Sequence, residues 1–222
     1  MAYDHEEQEQ LATLKAWWQR NGNLTSWVLI VALAAYSGWA GWQYYQRTQA
    51  AQAGQLYDEL QNAIVAKDNT KVQRAASDMQ SRFSRTAYAQ MASLAAAKTA
   101  FDANDLKAAK TQLQWVADHG AEEYKVIAQL RLAGVLMDEK SYDEALKVLA
   151  SANVPQFAGA VADRKGDILV AQNKLADART AYLAALAATA KDNPGRQLIQ
   201  IKLEAIGGTV PEDTAKADQA AA

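Results

Sequence analysis

The stretch from Arg131 to Leu149, RLAGVLMDEKSYDEALKVL, reads as two short amphipathic helices joined by a polar break. Leu132, Ala133 and Leu136 share one face before the break, and Tyr142, Ala145 and Leu149 share one face after it. Lys140 and Ser141 supply turn and N-cap chemistry between them. Ala133 and Ala145 leave room for the two helices to lie close together.

The same pattern recurs on either side. The small residue of each second helix falls at Ala75, Ala109, Ala145 and Ala178, at intervals of 34, 36 and 33 residues. Three positions earlier stand Val72, Leu106, Tyr142 and Leu175, and four positions later Met79, Leu113, Leu149 and Tyr182. Twelve positions before each alanine stands another small residue, Ala63, Ala97, Ala133 or Gly166. The breaks carry Asp68 and Asn69, Asn104 and Asp105, Lys140 and Ser141, or Asn173 and Lys174. The arrangement resembles the tetratricopeptide repeat, a helix-turn-helix unit with a period of about 34 residues. The third and fourth units match best. The first departs, with Asn62 at an apolar position, and none ends in the usual proline. A generic helical bundle with accidental spacing is the competing reading, and four such similar intervals weigh against it.

The predicted fold is therefore all-α: a divergent solenoid of about four helix pairs closed by a capping helix. That cap is expected over Gly195 to Ile206, presenting Leu198, Ile201, Leu203 and Ile206 and stopping at Gly207 and Gly208. Residues 207–222 carry too little apolar surface to pack and are expected to be a disordered tail. Three prolines in 222 residues and abundant alanine agree with a helical chain.

Ahead of the repeats lies a run without charge between Arg20 and Arg47, apolar over a length that crosses a bilayer as one helix. Trp17, Trp18 and Trp27 stand at one end and Trp39, Trp42, Tyr44 and Tyr45 at the other, as interfacial anchors do. A cleaved signal peptide is the alternative, since Gly38 and Ala40 have small-residue spacing. Against it, the preceding segment carries Asp4, Glu6, Glu7 and Glu9 and lacks a compact basic start. Lys15 and Arg20 before the span, against Arg47 after it, place the N-terminus in the cytoplasm. The expected organisation is 1–23 cytoplasmic, 24–46 transmembrane, 47–206 a repeat domain outside the cytoplasm, and 207–222 a tail. The segment holding Leu11, Leu14, Trp17 and Trp18 is expected to lie along the membrane surface. The absence of cysteine is compatible with an oxidising compartment without requiring one.

Chemistry leaves few traces. The formal net charge is −2 with both signs interspersed, which argues against nucleic acid as a partner. Two histidines, His5 and His119, are too few for a metal cluster or a histidine-based triad, and His119 suits a helix C-terminus. Gly207 and Gly208 lack the lysine and helix start of a phosphate loop. Glu122 with Glu123, and Asp138 with Glu139, read as solvated pairs rather than an acid and a base. No enzyme, no cofactor and no metal site are expected.

Stacked helix pairs do offer a surface. The expected concave protein-binding face is lined by the first helix of each pair: Tyr57, Leu60 and Ile64. It continues through Met91, Leu94, Lys98 and Phe101, then Ile127, Leu130 and Met137. Flexible methionine and aromatic groups suit adaptable apolar contact, although the same positions also suit plain core between helices.

With the whole pattern in view, the chain resembles the ancillary Sec translocon subunits of proteobacteria, the YfgM-like family. The resemblance rests on the short head, the single span with its aromatic flank and the divergent repeats. Its local marks are TAYAQMASLAAAKTAFDANDLKAAKTQLQWV from Thr86 to Val116 and RKGDILVAQNKLADARTAYLAAL from Arg164 to Leu186. It implies a single-pass inner-membrane protein whose periplasmic domain associates with the SecYEG channel and with the membrane-anchored chaperone PpiD. Newly exported polypeptides would be its clients. A scaffold for another envelope complex is the alternative, separated from the first by whether apolar groups are exposed in the groove.

Overall fold

The computed structural model describes residues 3–210, with side chains from Glu9 onward; of the tail expected over 207–222, the part after Val210 lies outside the described residues. These residues form nine α-helices and a short 3-10 turn, and among them there is no strand. The helices are α1 (Tyr3–Val65), α2 (Asn69–Arg82), α3 (Ala87–Asp102), α4 (Leu106–His119), α5 (Glu122–Asp138) and α6 (Tyr142–Ala150). After the 3-10 turn (Pro155–Phe157) come α7 (Ala158–Ala171), α8 (Leu175–Ala188) and α9 (Gly195–Ala205). The chain divides into two compact units, Met1–Gln52 and Ala53–Ala222, and α1 contributes to both.

In the first unit the apolar part of α1 is long and apolar enough to cross a membrane, and none of that apolar window is buried in the structure. The buried helix of a soluble core would look different. Trp27, Trp39, Trp42, Tyr44 and Tyr45 are all exposed, and Tyr36 with Trp39 and Trp42 with Tyr45 form ring pairs 6.1 and 6.2 Å apart.

The second unit is built by four near-identical turns. Each first helix ends at a residue in the left-handed region: Lys67, Asn104, Lys140 and Asn173, with φ of 56, 60, 61 and 60°. Each turn closes with the same two hydrogen bonds. The left-handed residue donates its N–H to the carbonyl three back, as Lys140 does to Met137, and the next residue donates to the carbonyl five back, as Ser141 does to Leu136. This is the Schellman closure, and it satisfies carbonyls that a helix end would otherwise leave open. The following residue starts the second helix. Asp68 and Asp105 cap it by accepting from the N–H of Lys71 and Ala108 at 3.1 and 2.9 Å. The Lys71 N–H accordingly holds the Asp68 carboxyl below its ordinary pKa.

Counting from the left-handed residues sets the register of the repeats and corrects the first one. Seven positions before them stand Leu60, Ala97, Ala133 and Gly166, and nine after them Ala76, Leu113, Leu149 and Tyr182, all buried. The residue five after them is Val72, Ala109, Ala145 or Ala178. Val72, not Ala75, therefore takes the alanine position in the first repeat, and the first interval is 37 residues rather than 34. The physical reason is an exchange of sizes. Later repeats set a small residue on the first helix against a large one on the second, while the first repeat has large Leu60 and small Ala76. In the fourth the small residue has to be glycine, because a Cβ on Gly166 would run into the Tyr182 ring.

Three apolar clusters run along the stack: one around Leu60, Val72 and Met79, one around Leu113, Leu132 and Leu136, and one around Leu169, Tyr182 and Leu203. Trp115 packs on the first two and Leu146 on the last two, so the core is continuous. The α9 cap is present, but it buries Ile199 and Leu203, whereas Leu198 and Ile201 are each 55% exposed. Its orientation is fixed by polar groups. Lys202 donates to Asp163 and Asp167 at 2.8 and 3.0 Å, and Tyr182 donates its hydroxyl to Asp167 at 2.9 Å. Burial, together with Asp167, raises the Tyr182 hydroxyl above its ordinary pKa. Arg179 on α8 donates to the Ile206 carbonyl, closing the far end of α9.

Candidate functional site

Within the second unit, a hollow of about 400 Å³ opens between α3 and α5, a volume in the range of about 300–1,000 Å³ typical of binding clefts. Its floor is core: Ala97 from α3, Leu113 from α4 and Val135 from α5. Its apolar walls are Phe101, which is 42% exposed, and the half-buried Met137. These two occupy equivalent positions, three residues before the left-handed turns at Asn104 and Lys140. Gly134 of α5 lines the hollow without a side chain, and the Arg164 guanidinium of α7 lies 3.8 Å from where its Cβ would stand.

The rim is cationic. Lys98, Arg131 and Arg164 stand around the hollow with Asp138 as the one carboxylate among the lining residues. Lys98 is paired with Asp102 at 2.6 Å on the same helix, and Arg164 lies 3.6 Å from Asp167, whose carboxylate also takes Lys202. Arg131 is exposed, and its side chain makes no hydrogen bond or ion pair among the described residues. Arg131 and Arg164 are again equivalent positions, nine residues before Lys140 and Asn173. A chain of net charge −2 thus presents a local cationic, apolar-floored hollow.

The residues expected from sequence to line one face separate into two groups. Lys98, Phe101 and Met137 meet at this hollow. Leu60 and Leu94 are buried, at 0% and 8%, and belong to the core. Tyr57, Ile64, Ile127 and Leu130 are half-buried and pack on the core clusters, with Tyr57 in ring contact with Tyr88 at 5.6 Å. Met91 is exposed and lies outside the lining. Arg131, Gly134 and Arg164 were not singled out in the sequence. The signal that finds them is the register of the turns, which puts Arg131 and Arg164 at one repeat position and Gly134 where Lys98 stands in the preceding repeat.

Beside the hollow, α2, α3 and α4 are joined by a polar ladder. Gln80 donates to Ser93 and Gln112 at 2.8 and 2.6 Å, Gln112 to Gln73 at 2.9 Å, and Gln73 to the Ala96 carbonyl at 2.8 Å. Such a satisfied network fixes the register of neighbouring repeats.

A family model described as a tetratricopeptide repeat-like domain matches residues 15–208. Curated relatives that carry the name ancillary SecYEG translocon subunit include proteins from three organisms. The protein from Neisseria gonorrhoeae is 31% identical over 208 residues, covering 93% of this chain and all of the relative. The one from Haemophilus influenzae is 32% identical over 82% of this chain and 89% of its own length. The Escherichia coli protein is 31% identical over 80% of this chain and 86% of its own. The match runs through the apolar helix as well as the repeats, and on that extent the chain belongs to the family of ancillary SecYEG translocon subunits with a tetratricopeptide repeat-like domain.

Proposed function

We propose that this chain is a non-enzymatic adaptor of the Sec translocon in the inner membrane. In this reading residues 24–46 cross the membrane, 1–23 lie in the cytoplasm and the repeat domain, 47–206, is periplasmic. The domain binds the SecYEG channel and the membrane-anchored chaperone PpiD, and it passes exported polypeptides from one to the other. The observation that carries it is the near full-length similarity to relatives named for that translocon, with the family model running from residue 15 through the apolar helix and the repeats. Physics supports the division of labour. An anchor confines the domain to a thin layer beside any membrane partner and raises its effective concentration there without a new contact. Repeats joined by short turns supply the protein-binding surface.

Photo-crosslinking in native membranes, with the probe placed along α3 and α5, tests the proposal. SecYEG subunits and PpiD are expected among the captured proteins. Capture of neither, or capture of a different envelope complex, would overturn it in favour of a scaffold. A reporter enzyme active only in the periplasm, fused after Ala222, is expected to be active. Activity of a cytoplasmic reporter at the same place would overturn the topology.

A further inference from the structure

Helical glycines normally have a reason. Glycine in a helix interior costs about 1 kcal/mol relative to alanine, and it persists where a neighbour comes too close for a side chain. Gly159 and Gly166 on α7 have that reason: a Cβ on the first would run into the Thr189 hydroxyl, and on the second into the Tyr182 ring. Gly134 in the middle of α5 has none. The nearest atoms to a Cβ built there belong to the Arg164 guanidinium, at 3.8 Å, which is ordinary contact. Its backbone is not in the left-handed region either. The fold does not need a glycine at this position, and the position lines the cationic hollow.

We propose that the hollow between α3 and α5 seats an extended polypeptide segment in which a large apolar side chain is followed by a carboxylate. The apolar group enters over Gly134 between Phe101 and Met137, and the carboxylate pairs with Arg131. This deepens the protein-binding role proposed above and rests on it. Three observations point to this occupant. The floor is core-grade apolar surface that only an apolar side chain covers without stranding a polar group. The one uncommitted cation at the rim is an arginine, whose planar fork matches a carboxylate in two parallel hydrogen bonds. The missing side chain at Gly134 lets a second backbone approach α5 more closely than any other residue would. Residues 211–222 of the chain, PEDTAKADQAAA, hold carboxylates but no large apolar side chain, so they do not meet the requirement.

The test uses the full chain in lipid nanodiscs and short fluorescein-labelled Gly/Ser peptides. The first carries a central Leu-Phe followed by Glu-Asp; in the second Lys-Lys replaces the acids, and in the third Ser-Ser replaces the apolar pair. Fluorescence anisotropy is expected to show the first peptide binding at least about tenfold more tightly than either other. Arg131→Glu is expected to reverse the preference between the acidic and basic peptides, which a merely damaged fold would not do. Gly134→Leu fills the hollow and leaves the charges in place. It is expected to abolish binding with unchanged circular dichroism, leucine being a good helix former with room for its Cβ. Equal binding of the acidic and basic peptides, or undiminished binding by Gly134→Leu, overturns the inference. So does a change in sedimentation of the variants, which would make the hollow a contact between copies of this chain. SecYEG capture by the same samples separates the two readings. Capture without peptide selectivity sinks this inference alone, whereas a wild-type chain that captures no SecYEG sinks the adaptor role whatever the peptides do.

Discussion

Gly166 and Gly134 stand on the first helices of neighbouring repeats, seven and six positions before their left-handed turns, and differ in what surrounds them. Gly166 faces the Tyr182 ring, which its missing side chain allows to lie close against α7. Adding a methyl there forces the ring away from Asp167, the acceptor of its hydroxyl. The gain in helix propensity is about 1 kcal/mol, and overpacking of a filled core costs about 1–3 kcal/mol while disturbing a hydrogen bond to a charged group. Gly166→Ala is therefore expected to destabilise the repeat domain by about 1–2 kcal/mol. Gly134→Ala meets only open space and the Arg164 guanidinium at 3.8 Å, so the propensity term stands alone. It is expected to stabilise by up to about 1 kcal/mol. Urea unfolding followed by circular dichroism reads both. Stabilisation by both changes would mean that the ring of Tyr182 yields to the added methyl, and destabilisation by both would mean that the fold needs the glycine at Gly134.

The turns decide the elements. Lys67, Asn104, Lys140 and Asn173 hold a left-handed backbone that disfavours any residue with a Cβ, roughly 1–2 kcal/mol for most of them and less for asparagine. Glycine removes that cost and adds about 0.5–1 kcal/mol of unfolded-chain entropy. Lys140 makes no side-chain hydrogen bond or ion pair among the described residues, so nothing else is lost on replacing it. Lys140→Gly is expected to raise stability by about 0.5 kcal/mol, and Asn104→Gly by less, because asparagine already tolerates this conformation. A differential scanning measurement on the two variants that finds Asn104→Gly the more stabilising would contradict this. The same turns explain what the sequence made legible. Repeats two to four could be read because each sets a small residue on its first helix against a large one on its second. Repeat one could not, because Leu60 and Ala76 exchange those sizes, and the small residues Ala63 and Ala75 then lie three positions out of register. The cap shows a second limit. Leu198, Ile199, Ile201 and Leu203 supply two overlapping apolar faces with helical spacing, and the choice between them falls to Lys202, which must reach Asp163 and Asp167 on α7. The hollow was half legible: Lys98, Phe101 and Met137 follow from the period, but the cations and the glycine emerge only once the turns align the repeats.

At the scale of the molecule, the chain divides between Gln52 and Ala53 into two compact units. Every residue of the three apolar clusters, including the half-buried ones packed against them, lies between Leu56 and Val210. The first compact unit contributes nothing to that core, and its apolar helix leaves its own side chains unburied. Stacked repeats draw their stability from each pair and its neighbours, so a terminal segment outside the stack is removable at little cost. The end of the stack differs in this respect, because α9 covers Tyr182, Ala185 and Leu186 through Ile199 and Leu203. Removal of residues 1–52 is accordingly expected to leave a water-soluble helical domain whose thermal midpoint moves by less than about 4 °C, the shift that roughly 1 kcal/mol produces at this size. The only loss foreseen is fraying at Ala53, where a helix would begin without a capping side chain. The same truncation is expected to move the protein from the membrane pellet to the supernatant after ultracentrifugation, since it removes the helix long enough to span a bilayer. A truncated chain that unfolds or aggregates would show that α1 stabilises the repeats. One that folds but still sediments with membranes would place the membrane attachment in the repeat domain, where the exposed Leu198 and Ile201 of α9 are the first residues to substitute.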